Sequence, residues 1–253
     1  MNALIDAVAV ESRKARSARV LWSTGALLTF GVATLAAVVV AAGRTADPAM
    51  LAKLGPQAAT GDWTALLATA AQVTAAGGLL AFGVGLSWLT GREFADGTIS
   101  GLFGLPVSRS AIATAKLIVF FAWAVVVSAA LTVLLLVAGF ALGLGAPDGA
   151  AIAGLARQFA LGALTALIAV PAAWAASWGR GLLPGIAVTV GILVLAQVSV
   201  LADFASWIPF VAPAFWSIRP DVDSALALSV VPLVPLIFGA ATVMVWRRLQ
   251  LDR

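Results

Sequence analysis

The sequence predicts an all-α integral membrane protein that crosses the bilayer six times. A short interfacial helix is expected at its N-terminus and a second short helix between spans two and three. Three observations carry that prediction. Hydrophobic residues make up 62% of the 253 and charged residues only 10%, whereas a soluble domain needs about 25% charged residues to cover its outside. Six separate stretches are each apolar over roughly the 20 residues that a helix needs to cross a hydrocarbon layer about 30 Å thick. The basic residues, finally, sit in short clusters beside those stretches and form no soluble patch. They read as topology signals and exclude a nucleic-acid partner.

Residues 1–18 mix Leu4, Ile5 and Val8 with Asp6, Glu11, Arg13, Lys14 and Arg16. That composition suits a short helix lying in the membrane interface; a basic tail that only fixes topology is the alternative. The apolar run from Val20 to Gly43 is far longer than the roughly 7 to 15 residues of a secretory signal core, so a retained first span is expected at 20–43. Apolar windows bounded by charge, Pro or Gly place the others at 65–90, 114–143, 157–178, 184–204 and 227–246. These segments form a single transmembrane domain over 1–253.

Alternating connections put Arg13, Lys14, Arg16, Arg19, Arg92, Arg109, Lys116, Arg180, Arg247, Arg248 and Arg253 on one face, eleven of the fifteen basic residues. The other face holds Arg44, Lys53, Arg157 and Arg219. Lys and Arg are retained on the cytoplasmic side, so both termini are expected in the cytoplasm and the protein in the plasma membrane. Trp22, Trp88, Trp174, Trp178, Trp207 and Trp246 fall near expected span ends, where an amphipathic ring favours the headgroup level.

With no Cys and no His, the chain has no thiol nucleophile, disulfide, soft-metal site or imidazole base. Lys14 and Lys53 lie outside the expected spans, Lys116 lies at the mouth of the third, and Asp203 has no second carboxylate near it in sequence. No metal site, resident cofactor or catalytic residue is therefore expected. An ion-coupled carrier places ionisable groups in mid-membrane, where each costs at least ~3 kcal/mol, and none is found deep in a span. The polar residues of the spans, such as Gln72, Thr74, Ser128, Thr132, Thr165, Thr189, Gln197 and Ser199, are by default helix-to-helix bonding groups. A G-x-x-x-x-G-K-[ST] phosphate loop is absent, and Gly83-Val84-Gly85 is no nucleotide loop because it lies inside an apolar span. Uphill movement would need energy from another subunit. Gly139-x-x-x-Gly143 has the spacing for close helix approach, one that arises easily by chance in a chain rich in Ala and Gly.

The longest basic-face connection runs from Gly91 to Ala113. Arg92, Glu93 and Asp96 make its start polar, Gly97 and Thr98 supply a turn, and Ile99 to Leu105 is an apolar stretch that Pro106 ends. Ser108 is placed to cap the third span. A helix bearing Ile99, Leu102, Phe103 and Leu105 is too apolar for water and too short to cross the bilayer, so it must dock, against a partner or against the chain's own helix ends.

In Glu93, Gly97, Thr98, Leu105, Pro106, Val107, Ser108, Arg109 and Lys116, this stretch resembles ATP-binding-cassette permeases of the second export class (ABC type 2), including the bacitracin-export group. The six spans, the basic N-terminal helix and the length extend the likeness to the whole chain. The resemblance implies a subunit without an ATPase site. A cytoplasmic ATPase dimer, which binds ATP and Mg, would rest on a coupling surface of Glu11, Arg13, Arg16, Arg92, Glu93, Asp96, Gly97, Thr98, Ile99, Leu102, Phe103, Leu105, Pro106 and Arg109. A second permease chain, identical or homologous, would complete a path lined by spans two and five, with Gln72, Thr74, Thr189 and Gln197 as the candidate lining. Residues 206–221, with Pro209, Pro213 and Pro220, resemble the partly re-entrant external segment of such permeases. An amphipathic, lipid-like or antibiotic substrate is expected, and replacing Glu93 or Phe103 is expected to detach or uncouple the ATPase while sparing the fold. The rival readings are an ion-coupled carrier or channel acting alone and a non-transporting scaffold or immunity protein.

Overall fold

The computed structural model describes residues 3–45, 60–104, 106–199 and 207–250, apart from the Phe103 side chain. Lys53, Leu105, Asp203, Arg253 and the expected end of span five at 200–204 lie outside the described residues. Among the described residues there is helix and no strand. In chain order the helices are α1 (Ala3–Ser17), α2 (Arg19–Gly43), α3 (Trp63–Ala95), α4 (Ile99–Phe103), α5 (Arg109–Ala141), α6 (Gly149–Ile168), α7 (Pro171–Trp178), α8 (Leu182–Ser199), α9 (Ala212–Ile218), α10 (Val222–Ala227) and α11 (Leu233–Arg248). A 3₁₀ turn at Leu228–Val230 joins the last two. Six segments are long and apolar enough to cross a membrane: α2, α3, α5, α6 with α7, α8, and α10 through α11. Their outward faces carry large apolar side chains, Leu27, Val126, Leu195 and Leu236 among them, each more than 60% exposed. A water-facing surface rarely gathers such residues; a lipid-facing one requires them. The chain is a multi-pass membrane protein.

Side-chain caps fix where several helices begin. Asp62 accepts from the Thr64 and Ala65 N–H groups at the head of α3, Asp148 from Ala151 N–H at α6, and Asp221 from Ser224 N–H in a capping box at α10. Ser108 Oγ, the expected cap of the third span, accepts from Ala111 N–H. Each satisfies an N–H that has no partner within its own helix.

Three of the differences from the sequence reading have a clear physical reason. Span two does not stop at the first charge: α3 continues through Arg92 and Glu93 to Ala95, because Glu93 is neutralised by partners in other helices. Span three starts at Arg109, which moves Lys116 from the mouth of its helix to two turns inside. The fourth span is broken between α6 and α7. Pro171 has no N–H to give, and the chain crosses the break on the short bonds Ala172 N–H to Ala169 O and Ala173 N–H to Val170 O.

The second span, α3, is the hub and packs against α2, α5, α6, α7 and α8. Small residues let it come close. A Cβ on Gly83 would collide with the Thr189 side chain of α8, and one on Gly91 would stand 2.7 Å from the Gly181 backbone. Gly185 of α8 answers from the other side, against Ser87. Gly139 has a packing role as well: the Trp63 ring lies where its Cβ would be, whereas Gly143 ends the helix at φ 69° with open space around it. Trp246, expected at the headgroup level, is fully buried, while Trp22, Trp178 and Trp207 are exposed.

Candidate functional site

At the basic end, four charged side chains from three helices meet. Lys116 Nζ donates to Glu93 Oε1 at 2.7 Å and to Glu11 Oε2 at 2.9 Å. Lys14 Nζ closes the group, 2.6 Å from Glu11 Oε1 and 3.2 Å from Glu93 Oε1. Two lysines and two glutamates balance, which is the condition for holding charge away from water. Lys116 is fully buried, and Glu11 and Glu93 are each 3% exposed. Burial opposes the Lys14 charge, but hydrogen bonds and attraction from Glu11, then Glu93, outweigh it and raise its pKa above the ordinary 10.5. Lys116 also stands 5.7 Å from the centre of the Trp246 ring, and Trp246 Nε1 donates to Ser177 Oγ at 2.9 Å. The network therefore ties α1 to spans two and three and, through Trp246, to spans six and four.

The short helix α4 lies beside this network. Ile99 and Leu102 are half-buried with Phe94, Val107 and Val243 against Ile112, Ala113, Trp246 and Leu249. The described apolar side chains of α4, Ile99 and Leu102, are thus taken up by the chain's own helix ends. Asp96, Gly97, Thr98, Ser100, Gly101, Gly104 and Pro106 are exposed, so among the described side chains of this connection the outward ones are small or polar.

The other expected coupling residues divide by environment. Arg13 and Arg16 are exposed on α1. Arg92 lies 4.4 Å from the centre of the Trp88 ring and 3.8 Å from Asp96 Oδ2. Arg109 donates to the Leu249 carbonyl and Arg180 to that of Gln250, which holds the end of α11. Glu11 and Glu93 face inward. Replacing Glu93 while sparing the fold, as the sequence reading expects, runs against its burial between two lysines.

At the opposite end, a cavity of about 490 Å³ opens between α3, α8 and α9. Gln72, Gln197 and Arg219 are its main polar groups, among Leu79, Leu193, Phe210 and Phe215. Gln72 and Gln197, two of the four expected path residues, thus share one cavity. The other two are buried in helix contacts: Thr74 Oγ1 accepts from Gln158 Nε2 at 2.8 Å, and Thr189 Oγ1 donates back to Gly185 O. Helical spacing alone cannot tell these pairs apart. The segment carrying Pro209, Pro213 and Pro220 folds back as α9 against α3 and α6. Behind it, a smaller cavity of about 360 Å³ holds Arg157 and Gln158. Sequence reasoning put Arg157 at the start of its span, yet α6 begins eight residues earlier, at Gly149. Arg219, Lys14 and Lys116 were missed as site residues, and Glu11 and Glu93 were named for an outward coupling surface and not for a buried network. The available signal was a lone Lys two turns past a capping Ser, facing a lone Glu at the end of the preceding span.

No group of three or more metal-binding side chains is assembled among the described residues. The arrangement is a buried ion network at one end and a cavity with a few polar groups at the other. No curated protein matches this chain. The model of the ABC-2 family transporter proteins matches residues 7–197, more than half of the 253 residues, from within α1 through spans one to four and α4 to near the end of α8, and the chain belongs to that family.

Proposed function

We propose that this chain is the membrane-spanning permease subunit of an ATP-binding-cassette exporter. Two such chains, identical or homologous, form the translocation path, and a separate cytoplasmic ATPase dimer that binds ATP and Mg drives it. The basic end faces the cytoplasm of the cell, and both termini lie there. The observation that carries this reading is the Glu11–Lys14–Glu93–Lys116 network. It locks the N-terminal helix to the end of span two directly before α4, so a displacement of the exposed side of α4 is passed to the helix whose far half lines the cavity of Gln72. The path lies along α3 and α8, with Gln72, Gln197 and Arg219 as its polar contacts. An apolar cavity with two amides and one cation suits an amphipathic, lipid-like or antibiotic substrate carrying a polar or acidic group.

The buried lysine and glutamates also give the ion-coupled carrier reading a specific foothold, since such groups in spans mark ion pathways. Here they are mutually paired at the span ends, and none of them lines the cavity. Reconstitution in vesicles with and without the co-encoded ATPase tests the proposal. Flux that requires ATP and the ATPase supports it. Gradient-driven flux by the chain alone replaces it with a carrier, and ATPase binding without flux replaces it with a scaffold.

A further inference from the structure

A groove of about 800 Å³ runs between α1, α2 and α5, on the lipid side of the molecule and apart from both the ion network and the α3–α8 cavity. Its walls are apolar, with Leu21, Phe30, Ile118, Trp123, Val126 and Val137 along them. The α5 wall from Ile118 to Val137 is about 28 Å long at ~1.5 Å per residue, close to the ~30 Å hydrocarbon layer, so it accommodates an extended acyl chain. The polar groups are few: Thr29 within, and Ser12 and Arg16 at the basic end. Trp22 stands at the same mouth, 67% exposed, its Nε1 donating to the Arg16 carbonyl at 2.7 Å, the placement of an indole at headgroup level.

Charge decides the occupant. Arg16 lines this mouth and is exposed, Arg13 and Arg19, three residues before and after it, are exposed as well, and among the described residues none of the three is ion-paired, in contrast to Lys14 on α1. No acidic residue lines the groove. A long apolar trough that ends at the unpaired Arg16 guanidinium, with two more exposed arginines three residues away on either side, matches an anionic amphiphile and disfavours a zwitterionic one. We propose that this groove binds one anionic phospholipid, its acyl chains between α2 and α5 and its phosphate against Arg16, with Arg13 and Arg19 beside it. The lipid would brace α1, the helix that carries Glu11 and Lys14 into the ion network. This site stands whether or not the chain works as a permease.

Native mass spectrometry of the purified chain with phosphatidylglycerol or phosphatidylcholine of matched acyl chains tests it. Phosphatidylglycerol should be retained preferentially, and Arg16→Glu should weaken that retention at least fivefold, about the worth of one interfacial arginine, while Arg16→Lys largely keeps it. Ala26→Trp and Ala130→Phe, which fill the groove, should reduce retention of both lipids. An unchanged melting temperature in phosphatidylcholine shows that the variants are folded. Equal retention of the two lipids, or wild-type retention by Arg16→Glu or by both filled variants, would overturn the proposal. So would displacement of the lipid by soluble glycerol phosphate, which would mark a free phosphate site. Ready disulfide dimerisation of Ala130→Cys, in a chain otherwise free of cysteine, would assign the groove to a second copy.

Discussion

Lys116 and Glu93, 23 residues apart, form an ion pair of 2.7 Å in which the lysine is fully buried and the glutamate nearly so. Breaking one side of a buried pair leaves an uncompensated charge and costs about 3–5 kcal/mol. Lys116→Met leaves Glu11 and Glu93 sharing Lys14 alone, so a loss of that size is expected, read as a lower melting temperature in detergent. The double variant Lys116→Met, Glu93→Gln removes one charge of each sign and leaves Lys14 paired with Glu11 at 2.6 Å, so it should recover most of it. A single variant as stable as wild type would show that the network carries no structural load.

Lys14 supplies a pH test with a defined sign. Its folded pKa lies above the ordinary 10.5, so its contribution is complete below about pH 10.5 and is lost as pH rises through the folded value. Stability should therefore show no Lys14-dependent change between pH 7 and about 10, then fall. In Lys14→Met the alkaline fall should be smaller. An equal fall in both proteins would place the titrating group elsewhere.

Gly83 and Thr189 fix the approach of spans two and five, because a Cβ on Gly83 would collide with the threonine. Overpacking of such a contact costs about 1–3 kcal/mol. Gly83→Ala should destabilise the protein within that range, and a further Thr189→Gly should restore it by vacating the same space. Non-additivity in this pair, measured by a double-mutant cycle, separates a true contact from two independent effects.

How much of this was legible follows from the range of each interaction. Six spans and the order of the short helices could be read because hydropathy and capping are local: Val20 to Gly43 and Ser108 announce themselves within a few residues. The partners of Glu93 could not be read, since Lys116 and Glu11 reach it from other helices, and its charge was taken as the end of a span. Pro171 was visible, but a proline does not by itself end a membrane helix when neighbouring groups satisfy the freed carbonyl. Gln72 and Thr74 differ by two positions and so by about 200° around a helix. Which one faces the cavity depends on where α6 and α8 pack, and that is decided by tertiary contacts.

The two sides of α4 make opposite predictions. Ile99 and Leu102 lie against Ile112, Trp246 and Leu249, so Leu102→Asp puts a charge into an apolar contact and should lower the melting temperature of the isolated permease. Ser100 and Gly101 are exposed, and Gly101 has open space around it. Gly101→Arg or Ser100→Trp should leave the melting temperature unchanged while reducing co-purification of the ATPase and substrate-stimulated ATP turnover severalfold. That pattern would locate the coupling surface on the small, polar side of α4 and confine its leucine and isoleucine to the fold. Full ATPase binding and turnover in both exposed-side variants would remove α4 from the coupling route and leave the arginines of α1 as the docking point to be tested next.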